Sequence, residues 1–465
     1  MLLERKRKKD INKMTLVTIF VLILISFFSE KMESIKVILY VACALVGFFS
    51  TRYTFVIIML AYTNAFSLFN GLEMQGGLTD FGLIAGLVCC GMETIRYIKE
   101  KKYKISKKCI GIVAYVLSIL LLLSFSIMVA KLRYDQPIIR GIYSFRYILV
   151  IMYVFPFIRF LKKDRQEKIV IMEYLSRIIT ISIIIIIIQE LIKDKVEILK
   201  LLRTARLGKD RILLHAASPL YIMVFAYNLY KILKDKKDVL YGILPIILIL
   251  IAVFIISQTR IFMACILSVA ILEVLVFSKI KIVNKIALAI IGLGIIGIAF
   301  ETNIVNQMLG NLFEDVNKDG DSYIRNEGRR YYMALIDDEF FFMGGGITNE
   351  KYLESPINAA SEYNYYLVDI GIYGFFFEYG SLGIIAIGIL TIDIFRKSFY
   401  IKDKSISNLL KMFCAMIITM LYTVSPLSSS VWILYVVMIA FIESEINLNC
   451  FEKIDRKEIN RKHMY

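Results

Sequence analysis

Cys109–Ala130 reads CIGIVAYVLSILLLLSFSIMVA, an unbroken apolar run without a charged side chain. About 20 such residues suffice for a helix to cross the hydrocarbon core of a bilayer. Inside lipid every backbone N–H and C=O must be satisfied within the protein, which leaves helices and closed barrels. The run lacks the alternation of a barrel strand, so it predicts a transmembrane helix. Comparable apolar runs extend in both directions, over 14–29, 35–49, 53–69, 79–95, 144–158, 169–188, 214–230, 239–257, 261–277, 286–300, 366–395, 409–425 and 431–442. The expectation is an all-α, polytopic integral membrane protein of about fourteen spans, with 1–465 forming a single transmembrane domain.

The composition agrees. The 465 residues are 58% hydrophobic and 21% charged, with a mean hydropathy of +0.67. A soluble domain of this size needs more polar surface to cover itself. The net charge of +16 calls for an anionic partner. The basic residues stand between apolar runs, which favours a membrane surface over nucleic acid. Cys43, Cys89, Cys90, Cys265 and Cys414 fall inside apolar runs without a CxxC pair and read as small hydrophobes. With only His215 and His463 besides, no metal or cofactor is expected. Arg5-Lys6-Arg7-Lys8-Lys9 precedes an apolar run that lacks a cleavage signature, as in a signal anchor.

Lys and Arg in the connecting segments set the orientation. With the N-terminus inside, inner segments hold about 36 of the 56 basic residues and outer segments about 18. The strongest inner segments are 96–108 (RYIKEKKYKISKK), 159–168 (RFLKKDRQEK) and 396–411. Both termini are expected in the cytoplasm. Arginine runs against this trend, making up about ten of the outer basic residues against about nine of the inner ones. Its planar fork recognises phosphate and carboxylate bidentately and keeps its charge, so outer arginines point to an anionic ligand. The alternative is pairing with outer acids such as Asp135 and Asp210.

Two outer loops carry the candidates. Loop 189–213 contains RTARLGKDR, with Arg203, Arg206, Lys209 and Arg211. Loop 301–365 is the one long non-apolar stretch, and its aromatic content predicts that it packs on the membrane face. Here Arg325, Arg329 and Arg330 precede Tyr331-Tyr332-Met333-Ala334-Leu335-Ile336, then Asp337-Asp338-Glu339 and Gly344-Gly345-Gly346. The glycines either present N–H groups to an oxyanion or form a plain turn. The segment from Asp315 to Asp321 resembles the start of a calcium loop. Asn326, however, stands where that loop wants glutamate, and Glu327 comes one residue late. Arg260 follows Ser257-Gln258-Thr259 at a tight outer hairpin, and Arg177 lies within an apolar run. Each is either functional or snorkelling.

These features resemble the O-antigen polymerase and O-antigen ligase superfamily, which includes the Wzy-type polymerases of capsule and exopolysaccharide. The resemblance covers most of the chain in organisation and roughly 255–395 in motif. Its members have about a dozen spans and a large outer loop in the C-terminal half. A Ser/Thr-Arg hairpin before the loop is matched by Thr259-Arg260, and an arginine ahead of aromatics by Gly328-Arg329-Arg330-Tyr331-Tyr332. A Gly-x-Gly is matched by Gly344–Gly346. The Asn- and Gly-bearing approach to the next span is matched by Glu362-Tyr363-Asn364-Tyr365-Tyr366-Leu367-Val368-Asp369-Ile370-Gly371, continuing to Gly374, Gly380 and Gly383. Ligase-type members carry a histidine before that asparagine where this chain has Tyr363, and the Arg-x10-Gly spacing of some polymerases is absent. Polymerase is thereby favoured over ligase.

The resemblance implies metal-independent glycosyl transfer on the outer face of a bacterial cytoplasmic membrane, between undecaprenyl-diphosphate-linked oligosaccharides. It also implies a flippase and a chain-length regulator of the same pathway as partners. A lipid-linked diphosphate needs fixed positive charge at headgroup level, for which Arg203, Arg206, Arg211, Arg260 and Arg329 are the first candidates. Arg325, Arg330, Gly344 and Gly346 are further diphosphate contacts. Glu327, Glu362 or Asp369 would deprotonate the acceptor hydroxyl.

Two other classes compete. A transporter or flippase of lipid-linked oligosaccharide suits the spans and arginines, but no internal repeat is visible. Its intramembrane acids would be Glu273 and Glu378. A scaffold or sensor is disfavoured by the lack of a soluble cytoplasmic domain. The Ile- and Lys-rich composition points to a low-GC bacterium.

Overall fold

A computed structural model describes residues 32–64, 75–99, 109–163, 167–192, 203–206, 209–212, 214, 218–234, 239–257, 259–277, 321–336, 338, 341–349, 352 and 354–462. The expected spans at 14–29 and 286–300, the calcium-like residues 315–320 and both histidines lie outside them.

Helices occupy the apolar runs: α1 (Met32–Phe49), α2 (Thr51–Thr63), α3 (Gln75–Lys99), α4 (Cys109–Tyr134), α7 (Glu167–Ile192), α8 (Ser218–Lys234), α14 (Lys404–Met420) and α15 (Ser429–Lys462). The run at 144–158 is divided into α5 (Ile138–Phe145), a 3-10 stretch (Arg146–Tyr153) and α6 (Val154–Lys163). Helices α9 (Val239–Leu250) and α10 (Arg260–Ile271) each continue into a π-helical turn. Among the described residues, five helical stretches are long and apolar enough to cross a membrane, including Val113–Tyr134, Glu167–Ile192 and Ile372–Ser398. The protein is a helical membrane protein.

One departure from an all-α chain falls in the arginine-rich segment 203–212. There β1 (Arg203–Arg206) pairs antiparallel with β2 (Lys209–Ile212) in a two-stranded hairpin. Two residues separate the paired strands, the spacing of a tight hairpin.

Exposure distinguishes the core from the lipid-facing surface. Val431–Ile442 of α15 is buried on every side, as expected of a helix at the centre of a bundle. Trp432 donates from Nε1 to the Ile148 carbonyl at 3.0 Å, and Phe55 stacks on Phe157 at 4.3 Å. Helix α4 instead exposes Leu117, Leu121, Phe125, Met128 and Leu132. In a membrane protein such a stripe at helical spacing faces acyl chains.

The bundle has two distinct ends. At one, Lys168 near the start of α7 pairs with Glu445 of α15 at 2.7 Å. Arg52, Arg96 and Arg159 gather at the same end. At the other, the end of α4 meets residues 341–349, and the turn after α14 meets the start of α13 (Ile372–Ser398) through Ile372 N to Leu421 O at 2.6 Å. The described part of 321–370 packs here, with α11 (Asp321–Ala334), α12 (Pro356–Ser361) and a 3-10 turn (Leu367–Ile370).

The run at 366–395, expected as one span, is two half-helices. Helix α13 begins only at Ile372, and Gly380 (φ 62°, ψ −164°) breaks it. Residues 341–346 insert at the break and replace the missing helical hydrogen bonds. Ser381 and Leu382 N–H donate to the Phe341 and Phe342 carbonyls at 3.1 and 3.2 Å. Gly345 N–H donates to Phe377 O at 2.5 Å, and Ser126 Oγ to Glu378 O at 2.7 Å. Irregular backbone at membrane depth survives when protein satisfies it in this way.

Candidate functional site: a buried guanidinium under tyrosines

Helix α11 packs one face inward against the turn before α13, with Gly328 facing Tyr365 and Ile370. Tyr332, one helical turn on, is fully buried and donates to Tyr365 O at 3.0 Å. Tyr331 donates to Pro356 O at 3.2 Å. Burial, with Tyr363 adding to it, pushes the Tyr331 phenol above its ordinary pKa and so keeps it a neutral donor.

Arg329 lies on that inward face with 8% of its surface exposed. Its Nη1 donates to Asn326 Oδ1 at 2.7 Å and to the Tyr422 hydroxyl at 2.6 Å, and Nη2 donates to Tyr422 O at 3.1 Å. The guanidinium carbon stands 3.8 Å from the Tyr422 ring centre and 5.4 Å from that of Tyr373. All these partners are neutral. Among the described residues no carboxylate forms an ion pair with Arg329, and its buried Nε–H has no acceptor. A desolvated cation–π contact is worth about 2 kcal/mol, against several for desolvating an ion. Among the described residues the arrangement therefore holds a cation without a counter-charge. Tyr422 is 55% exposed, so a single side chain separates the guanidinium from the surface.

The other arginines are distributed unevenly about this point. Arg330 is on the outer side of α11, where it pairs with Glu327 at 2.7 Å and is largely exposed. Arg325 is half-buried on the same helix. Arg260 is the first residue of α10, after Thr259, whose Oγ1 is 2.6 Å from Ser257 Oγ. Helices α10 and α14 run antiparallel, joined by Asn408 to Glu273 at 3.1 Å and Cys265 to Met416 at 3.9 Å. Continued, that alignment sets the Arg260 backbone level with Leu421 and Tyr422. In the hairpin Arg203 is opposite Ile212, Thr204 opposite Arg211 and Arg206 opposite Lys209, and β2 packs on the Ile251–Ser257 turn that leads to Arg260.

The acids divide likewise. Glu327 is occupied by Arg330, and Glu362 is exposed at the end of α12. Asp369 is half-buried, two residues before Gly371, whose positive φ seats it against Leu421–Thr423. Gly344 and Gly346 also have positive φ, but they wedge against the Gly380 backbone and the Ser126–Ala130 backbone respectively. The N–H of Gly345 is taken by Phe377 O, so the triplet serves the helix break, and in this structure that N–H is not presented to an oxyanion.

Sequence reading missed Asn326 as an arginine partner, as well as Tyr373 and Tyr422. Both tyrosines lie inside apolar runs, where the only hint is their position near run ends, the usual place of interfacial aromatics. Tyr363, which stands where ligase-type relatives have histidine, is 63% exposed and stacks on Tyr365 at 5.7 Å.

The fold and site thus define a helical membrane protein with a buried arginine at one end of its bundle that no described carboxylate neutralises. No protein-family model matches the chain, and no curated protein matches it.

Proposed function

We propose that the protein polymerises undecaprenyl-diphosphate-linked oligosaccharide repeat units into a capsule, exopolysaccharide or O-antigen at the outer face of the bacterial cytoplasmic membrane. The observation that carries this reading is Arg329, a buried cation beneath an exposed tyrosine with no carboxylate partner among the described residues. A diphosphate would supply the missing charge. The guanidinium would then stabilise the negative charge that develops on the departing diphosphate as the glycosidic bond forms. Arg260 and the hairpin arginines would add positive charge at the same end, and Asp369, beside the Gly371 contact with Leu421–Thr423, would take the acceptor's proton. In this reading the chain has about fourteen spans with both termini cytoplasmic, and 301–365 is the outer loop.

A transporter or flippase for the same lipid-linked glycan is the second reading. It is favoured by the broken helix at Gly380, since discontinuous helices often mark transport sites. The test deletes the gene and complements it with wild type, Arg260→Ala and Arg329→Ala after checking insertion. Surface polysaccharide and the lipid-linked pool are then sized by gel and mass spectrometry. Single repeat units accumulating on the outer leaflet without long polymer support the polymerase. Repeat units trapped on the inner leaflet mean a flippase. Unchanged polysaccharide sinks both.

A further inference from the structure

The turn between α12 and α13 carries three tyrosines in four residues, Tyr363-Asn364-Tyr365-Tyr366. Its backbone closes on itself. The N–H groups of Tyr363 and Tyr365 both donate to Ala360 O, at 3.1 and 3.0 Å. Asn364 N–H donates to Ser361 O, and Tyr366 N–H to Asn364 O, each at 3.1 Å. Asn364 stands at φ 60°, a left-handed conformation that asparagine adopts more readily than most residues. With the turn held by its backbone, the side chains of Tyr363 and Tyr366 are not needed to close it. They are 63% and 48% exposed.

The rings are fixed in orientation from the inside outward. Tyr363 stacks on Tyr365 with the planes 26° apart, and Tyr365 meets Tyr331 at 6.0 Å. Tyr331 in turn meets the fully buried Tyr332 edge-on at 5.2 Å. The hydroxyls of Tyr331 and Tyr332 are anchored on Pro356 O and Tyr365 O. Tyr366 donates to Asn364 Oδ1 at 3.2 Å. Burial first, then Glu327, Tyr323 and Tyr363, push the Tyr365 phenol above its ordinary pKa, which gathers these three side chains around it. The result is an exposed aromatic platform bordered by an amide and a carboxylate.

A sugar ring has two kinds of surface that such a platform matches. Its C–H face packs on an aromatic face, and its hydroxyls bond to polar groups at the edge. A tyrosine that only anchors the bundle at the membrane interface needs no such fixed orientation. The platform also adjoins the proposed reaction site. Gly328, next to Arg329, faces Tyr365, and Tyr366 O accepts from Asp369 N–H at 3.1 Å. Resting on the polymerase reading above, we infer that Tyr363 and Tyr366 bind a sugar ring of the acceptor glycan beside Asp369.

The test is isothermal titration of the detergent-purified full chain with short oligosaccharides, prepared by partial acid hydrolysis of the host's own surface polysaccharide. Wild type should bind saturably. Tyr363→Ala and Tyr366→Ala should each raise Kd about tenfold at an unchanged Tm. Tyr363→Phe should bind as wild type does, since the ring face carries the contact. Absence of saturable binding by wild type, or alanine variants that bind equally well, overturns the platform. A fall in Tm or membrane insertion at unchanged Kd shows interfacial anchoring and overturns it too. The polymerase reading fails by a separate result, surface polysaccharide unchanged on deleting the gene, which removes the acceptor role whatever the Kd values. Loss of polymer on deletion, with the same Kd in every variant, fails the platform alone.

Discussion

Tyr422 holds Arg329 in three ways at once: through its hydroxyl at 2.6 Å, its carbonyl at 3.1 Å and its ring face at 3.8 Å. The two residues are 93 positions apart and meet because α11 docks on the turn after α14. Every one of these contacts steadies the cation, and none neutralises it. A site tuned only for stability would place a carboxylate here or an apolar side chain.

Arg329→Met keeps most of the side-chain volume and removes the charge. The Tm of the purified protein should stay level or rise, since the desolvation cost of a buried charge without a charged partner is removed. Polymer formation in complemented cells should fall about 10²- to 10³-fold, the usual loss on removing one donor that stabilises developing charge. A fall in Tm with normal polymer would make Arg329 structural.

Tyr422→Phe keeps the ring and removes the hydroxyl that accepts from Nη1. The lost charged hydrogen bond is worth about 1.5–3 kcal/mol, so polymer formation in membrane vesicles should slow at least about tenfold. Tyr422→Ala also removes the ring contact and should be slower still. Equal rates for the two variants would assign the whole effect to the hydroxyl.

Among the acids, Asp369→Asn should abolish polymer while leaving the protein folded. Glu362→Gln should behave as wild type because it changes an exposed group. Glu327→Gln breaks an exposed pair and should cost no more than about 1 kcal/mol of stability, read from the denaturation midpoint. Loss of polymer in Glu327→Gln alone would move the proton acceptor to α11.

Gly380→Ala should prevent correct folding, because the added Cβ would lie 2.4 Å from Phe342 O at a positive φ. Gly344→Ala meets the Gly380 N at 2.6 Å and should fail in the same way. Gly388, also in α13, has nothing within 4 Å, and Gly388→Ala should stabilise by up to about 1 kcal/mol through helix propensity. Fluorescence-detected size-exclusion chromatography of the three variants separates the cases. A monodisperse Gly380→Ala protein would show that the break tolerates a side chain.

Lys168 and Glu445 are 1% and 4% exposed and pair at 2.7 Å. Lys168→Met leaves a buried carboxylate and should cost about 3–5 kcal/mol. The double variant Lys168→Met with Glu445→Leu should recover most of that loss in Tm. Additive losses would show that the pair is not the unit that matters.

Apolar runs such as 109–130 announce helices because the constraint is local: a segment without charge in lipid must close its own hydrogen bonds. Arg329 and Arg260 stood out for a similar reason, since the sequence itself shows a charge beside an apolar run. The break at Gly380 was not legible. Its hydrogen-bond replacements come from Phe341, Phe342, Gly345 and the distant Ser126, and no local pattern encodes a partner over 250 residues away. The pairing of 203–206 with 209–212 hid behind its charges.

The sequence by itself determined that this chain is helical, belongs in a membrane and carries arginines where apolar runs end. Tertiary structure decided which arginine matters. Arg329 and Arg330 are adjacent, yet one is 8% exposed beneath tyrosines and the other projects outward into an ion pair with Glu327. Consecutive residues on a helix point about 100° apart. The face that docks on Tyr373 and Tyr422 is therefore what separates a desolvated charge from a solvated one.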